Sequence, residues 1–355
     1  MRPPPTAIRR AILAPLWLPL AAALALIFVL VAAGTVLVTP LSRRRRPARL
    51  ALFAATYVLA DVSLVLAAAA LWLRRPLPGR RDEQRWISAH ARLLRWALSR
   101  IVAAGPPLLG FGVRLEEPPE DGIRADHPLL VLARHGGLGD SFTLVDLLLS
   151  RYDRRPVIVL KETLQWDPGL DIVLGRLSAC FLPARRRATE DVTERLADRA
   201  RRLHGSDAML IFPEGRNWTP RRFRHAIARL RRDGEHRAAA EAAANAHVLP
   251  PRPGGVLACL AARPDLDVVV VAHTGIDDLV TVRQVWDALP LTGRPMTIRW
   301  WYERAPALRI GPDDRYQWLR AHWAIVDAWI DARKARAPAA GPADQAGPTD
   351  PALSP

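Results

Sequence analysis

Only two cysteines occur in 355 residues. Cys180 and Cys259 form no C-x-x-C pair and no metal-like spacing with histidine. That excludes a cysteine–zinc module and a disulfide framework, and it suits a reducing compartment. Lysine is nearly missing too: Lys161 and Lys334 stand alone, and arginine supplies the remaining positive charge, a bias that fits codon usage. The chain holds no G-x-S-x-G elbow, no H-E-x-x-H, no P-loop and no complete G-x-G-x-x-G. Serine-hydrolase, zinc-protease, NTPase and dinucleotide-binding readings therefore lack their motifs. No internal repeat is visible, and no metal or cofactor is expected.

Acidic charge is the scarce sign. The formal net charge of +16 calls for an anionic partner: nucleic acid, an anionic membrane surface or a phosphorylated substrate. Apolar residues make up 50% of the chain and concentrate before residue 75. Residues 11–41 carry no charge between Arg10 and Arg43, enough helix to cross roughly 30 Å of hydrocarbon with tilt. A second apolar run, Leu50 to Leu73, is interrupted by Asp61, whose carboxylate costs about 2.5–3.5 kcal/mol at mid-membrane. Arg43–Arg44–Arg45–Arg46 lie between the runs, and Arg74, Arg75, Arg80 and Arg81 follow them, so loop charge gives no orientation. Two full spans, or a hairpin that enters one leaflet and returns, both fit. Residues 1–82 are expected to form this membrane anchor.

Residues 84–104 interleave Trp86, Leu93, Leu94, Trp96, Ile101 and Val102 with Arg85, Arg92, Arg95 and Arg100. Such a helix either lies in the headgroup region or turns its apolar face to a core. From about residue 105, short β-like runs alternate with helical ones. Strands are predicted at 129–134, 157–161, 179–183, 208–213, 268–273 and 296–302, with helices near 141–150, 164–176, 189–204, 221–245, 254–262, 277–287 and 314–334. That alternation predicts an α/β domain over 83–335, with a largely parallel sheet flanked by helices. The last helix spaces Trp318, Trp323 and Trp329 for core packing or an interfacial belt. A Pro/Ala-rich tail, 336–355, is expected to be disordered.

The organising stretch is Ala133–Arg134–His135–Gly136–Gly137–Leu138–Gly139–Asp140. An apolar strand ends in a histidine, glycines loosen the turn, and Asp140–Ser141 open a helix. The histidine thus sits at the carboxyl end of a strand, where α/β folds place their sites. Asp140 can fold back to accept the Nδ1–H of His135 and leave Nε2 free to take a proton. The plainer reading is a helix N-cap beside a loop histidine. A second stretch, Ile211–Phe212–Pro213–Glu214–Gly215–Arg216–Asn217, again joins strand to helix and is followed by Arg221, Arg222, Arg224 and Arg229. Glu214 can accept from a hydroxyl, and arginines with backbone N–H groups can hold phosphate oxygens, or this is a turn with solvated arginines. His273, at another strand end, is the next candidate to line a pocket; His204, His225, His236 and His247 are read as surface.

Together, H-x-x-x-x-D after one strand and F-P-E-G after another resemble the lysophosphatidate and glycerol-3-phosphate acyltransferase family over roughly residues 85–280. Lys161–Glu162–Thr163–Leu164 resembles the strand exit between that family's first two motifs. Phe181–Leu182–Pro183–Ala184–Arg185 is similar to its arginine motif, with one extra residue that brings Arg186 or Arg187 into contention. Val248–Leu249–Pro250–Pro251–Arg252–Pro253–Gly254–Gly255 is similar to the proline-containing motif. Arg134 and Gly137 depart from the family's usual Asn and Ser or Gln, and Arg216–Asn217 replaces its Thr-Arg. The departures bear on the acceptor more than on the reaction.

The resemblance implies direct acyl transfer from an acyl-CoA or acyl carrier protein thioester to a lysophospholipid, first of all 1-acyl-glycerol-3-phosphate. It implies His135 and Asp140 as catalytic, and Arg185, Arg186, Glu214, Gly215, Arg216 and Gly137 as substrate-binding, with backbone N–H groups of residues 136–139 facing the oxyanion. The expected setting is the cytoplasmic face of the plasma or inner membrane, with anionic lipid as a partner and no nucleic acid. A different lysophospholipid or glycolipid acceptor is the near alternative. A non-catalytic basic protein binding anionic lipid or nucleic acid is the distant one.

Overall fold

The computed structural model describes residues 3–38, 45–74, 80–116, 124, 126–137, 139–183, 189–305 and 311–336. Among the described residues seven strands form one sheet: β1 (Val113–Leu115), β2 (Leu129–Ala133), β3 (Arg155–Lys161), β4 (Cys180–Leu182), β5 (Asp207–Ile211), β6 (Asp267–Thr274) and β7 (Met296–Glu303). Their order is β1-β7-β6-β2-β5-β3-β4. Strands β2 to β6 are mutually parallel, whereas β7 runs antiparallel to β6 and carries β1 parallel to itself at the edge. The largely parallel sheet was legible because every residue of β2, β5 and β6 is buried, as a strand covered on both faces requires. Strand β1 was not expected: it has three residues and a mostly exposed side-chain pattern.

Alternation along the strands sends Leu129, Val131, Ala133, Val269 and Val271 to one face, and Leu130, Leu132, Val268, Val270 and Ala272 to the other. The first face is covered by the helices Arg80–Ala104, Asp140–Ser150 and Pro168–Arg176, the second by Thr189–Arg201, Pro253–Ala262 and Pro312–Arg336. Local chemistry fixes the starts. Asp167 accepts from the Leu170 N–H at 3.0 Å ahead of Pro168, and Thr219 from the Arg222 N–H ahead of Pro220. A Thr281/Gln284 capping box delays the predicted 277–287 helix to Val282–Ala288. The predicted 221–245 helix is two, Pro220–Arg232 and His236–Ala244, because Gly234 takes a left-handed turn with φ +81°.

Within Arg80–Ala104, Trp86, Leu94, Ala97, Leu98 and Ile101 are buried, so this is a core-facing helix. Trp323 and Trp329 are core as well. The tail beyond Arg336 lies outside the described residues. Among the described residues two helices, Thr6–Val38 and Arg46–Leu73, are long and apolar enough to cross a membrane. The second does not belong to a separate anchor. Its Ala60, Leu64 and Ala68 share one core with Leu94, Leu98, Leu144, Leu148 and Leu174, so the expected boundary at residue 82 cuts through packed side chains. Asp61 is buried rather than lipid-facing and accepts from the Trp17 indole at 2.5 Å. Alongside, Tyr57 donates to Asp167 and Arg9 pairs with Asp171 at 2.8 Å, stitching the hairpin to the domain.

Candidate active site

The carboxyl ends of β2, β5 and β6 converge on one cluster. β2 delivers His135, and the turn after it delivers Asp140 as the first residue of its helix. Gly139 precedes that helix with φ +88°, a backbone turn that brings the Asp140 side chain back over the chain. His135 Nδ1 lies 2.8 Å from Asp140 Oδ2, which also accepts the Gly136 N–H at 3.0 Å. Asp140 Oδ1 takes the Ser141 N–H and hydroxyl. Since a carboxylate only accepts, Nδ1 of His135 carries the proton. The Nε2 has no partner among the described residues, and the ring is about a quarter exposed. Burial works to raise the Asp140 pKa, but the His135 hydrogen bond, both neighbouring imidazoles and Ser141 hold it below the ordinary value. The dyad read from sequence is formed.

β5 contributes Phe212, whose ring lies 4.7 Å from the His135 imidazole, and the loop to Trp218, whose N–H donates to the His135 carbonyl at 3.1 Å. Glu214 is placed differently from expectation. It is buried, with Oε1 accepting the His135 N–H at 3.2 Å and Oε2 the Leu249 N–H at 3.0 Å. Both oxygens thus clamp backbone and do not reach toward a hydroxyl. Burial pushes its pKa up to about 7, against the pull of Arg134 and the two N–H donors. Gly215, with φ +68°, lies under the Arg252 guanidinium, whose carbon would be 3.3 Å from an added Cβ. Arg216 is exposed on the same loop.

Gly137 is buried, and an added Cβ would sit 2.3 Å from the Ile276 carbonyl oxygen. Its smallness serves packing against the loop after β6 instead of room for a ligand. The Gly136 N–H is spent on Asp140, so it does not serve an oxyanion. Arg185 and Arg186, with Arg187, lie outside the described residues.

Three contributors escaped prediction. Arg134 does not face an acceptor: it is fully buried and its guanidinium pairs with Asp277 while donating to the His247 and His273 carbonyls. His247, read as surface, thereby helps to seat the strand end. Arg252 stood within a quoted motif, yet its place above Gly215 depends on the Arg252 N–H meeting the Pro213 carbonyl, a contact between distant segments. Among the described residues no group of three or more His, Cys, Asp or Glu can hold a metal ion.

Residues 115–254 match the family model named Acyltransferase. The chain carries an acyltransferase-family domain. It spans β2 to β5, both stretches of the site and the start of the Pro253–Ala262 helix. No curated protein matches the chain. Among solved structures, it is similar to the 1-acyl-sn-glycerophosphate (LPA) acyltransferase PlsC from Thermotoga maritima, at 18% identity and a TM-score of 0.49, over 81% of this chain and 97% of that one. Both cysteine thiols are poor nucleophile candidates: Cys180, within the matched segment, is buried with its pKa raised by burial. Cys259, just beyond the matched segment, is buried too and pushed up to about 12.

Proposed function

We propose that this chain is a membrane-associated O-acyltransferase that moves a fatty acyl group from an acyl-CoA or acyl carrier protein thioester to 1-acyl-glycerol-3-phosphate, giving phosphatidate. The observation that carries the reading is the 2.8 Å His135–Asp140 contact, which fixes one tautomer and leaves Nε2 as a base on a ring about a quarter exposed. Ser141 spends its hydroxyl on Asp140 and the cysteines are buried, so no covalent acyl-enzyme is invoked. The acceptor hydroxyl attacks the thioester carbonyl carbon as its proton passes to Nε2 of His135. The tetrahedral adduct then collapses with cleavage of the C–S bond, and the departing thiolate takes the proton back from Nε2. One ester and one free thiol result. Asp140 stays ionised throughout and stabilises the transient imidazolium.

Arg216 and Arg252 beside Gly215 suit a phosphate on the acceptor. The two apolar helices suit an acceptor and product that reside in a bilayer, with the domain on the cytoplasmic face. Thiol release from acyl-CoA in the presence of lysophosphatidate, followed beside the His135→Ala variant, tests the reading. The variant is expected to lose on the order of 10²–10⁴-fold in turnover with little change in Tm. Turnover that survives the substitution would remove His135 as the base, and a parent without turnover would transfer the reading to a non-catalytic lipid-binding protein.

A further inference from the structure

The dyad carboxylate has a second imidazole on its other side. His273 lies near the end of β6, hydrogen-bonded neighbour of β2, and strand parity sends its side chain to the face where the helix Asp140–Ser150 begins. It is fully buried. Its Nε2 lies 3.0 Å from the carbonyl oxygen of Arg134, the peptide that leads into His135, and 3.6 Å from Asp140 Oδ2. Neither oxygen can donate, so Nε2 carries the proton. The opposite ring atom, Nδ1, is buried without a partner among the described residues, which leaves no acceptor for a second proton. Below the ring sits Gly136, where an added Cβ would come within 2.8 Å of Cε1.

We propose that His273 is a positioning residue for the transfer, a neutral imidazole whose single N–H holds the Arg134 carbonyl and the Asp140 carboxylate in register so that Asp140 meets His135. The charged groups that face it are Asp140 from the turn after β2, Arg134 from the end of β2, and Asp277 from the loop after β6. Arg134 and Asp277 are engaged with each other, and burial lowers the pKa of His273, so the ring adds a dipole and no net charge. His273 touches neither donor nor acceptor in this assignment. Its whole effect passes through Asp140, and the inference rests on the transferase reading above.

The test uses full-length protein in micelles, with parent and His135→Ala run first. Five further variants follow: His273→Leu, His273→Gln, His273→Asn, Asp140→Asn and the Asp140→Asn/His273→Leu double. His273→Leu is expected to lower kcat about 10–100-fold with KM for both substrates within about twofold. Gln, whose amide nitrogen reaches where Nε2 lies, is expected to restore most of the loss, while the shorter Asn is not. The double variant is expected to match Asp140→Asn alone, because a residue acting through Asp140 has nothing left to position. An additive loss in the double, a KM effect without a kcat effect, or Gln no better than Asn would overturn the assignment. If His273→Leu does not fold, the Gln-against-Asn comparison decides. A parent that is inert removes the transferase reading and the positioning role with it, and a His135→Ala variant that keeps the parent's turnover removes His135 as the base and with it the positioning role. A sound parent with an indifferent His273→Leu removes only the latter.

Discussion

Glu214 joins two backbone segments that are distant in sequence, and its chemistry makes that joint sensitive to pH. In the fold its pKa stands at about 7, above the ordinary 4.5, so the folded protein keeps this proton to higher pH than the unfolded chain. A raised value favours the fold below the unfolded pKa, and the advantage is lost as pH climbs through the folded one. The linked free energy is on the order of 3 kcal/mol between about pH 4.5 and 7. Glu214→Gln removes the titration. The Tm difference, variant minus parent, should therefore grow more positive across that window; a constant difference would show that the group does not titrate there. At this scale the dyad was readable because both partners lie within five residues and a glycine turn. The role of Glu214 was not, since Leu249, its second partner, arrives from 35 residues away. The place of Arg134 was not legible for the same reason: Asp277 lies 143 residues on.

Among the elements, the second apolar helix diverged most from its sequence appearance. Hydropathy presents Arg46–Leu73 as a span spoiled by Asp61, but a hydropathy window does not show which side of a helix meets protein. Here that side packs on Arg80–Ala104 and Pro168–Arg176. The first apolar helix is tied in by Arg9, which is nearly buried and pairs with an equally buried Asp171. Gln165 adds a further hydrogen bond to the same carboxylate at 3.1 Å. Breaking a buried pair from one side strands the other charge and costs roughly 3–5 kcal/mol. Asp171→Asn should lower the Tm of the micellar protein by several degrees, while a second change, Arg9→Met, should recover part of it. An unchanged melting curve for Asp171→Asn would mean that the hairpin is held by apolar contacts alone. The sheet was predictable because its strands are buried on both faces; the break at Gly234 was not, since a lone glycine within a helical pattern is tolerated as often as it ends one.

For the whole molecule, the hairpin and the acyltransferase domain form one packed body on the first face of the sheet. Removing residues 1–74 would strip Ala60, Leu64 and Ala68 from the core that they share with Leu94 and Leu98, both close to fully buried. Such a truncated chain is expected to aggregate, and size-exclusion chromatography of residues 75–355 checks it; a monodisperse, active product would refute the shared core. The sequence marked residues 1–82 as an anchor from composition, but composition says nothing of what an anchor leans on. One further consequence follows from Leu64 and Leu94 sharing one core. An enzyme on a slack leash could sweep an arc and collect substrate at varying heights. On the proposed function this one would stand bolted to its own mooring, so the depth at which His135 works would be set once, when the chain folds, and a lipid acceptor would have to glide sideways to reach it.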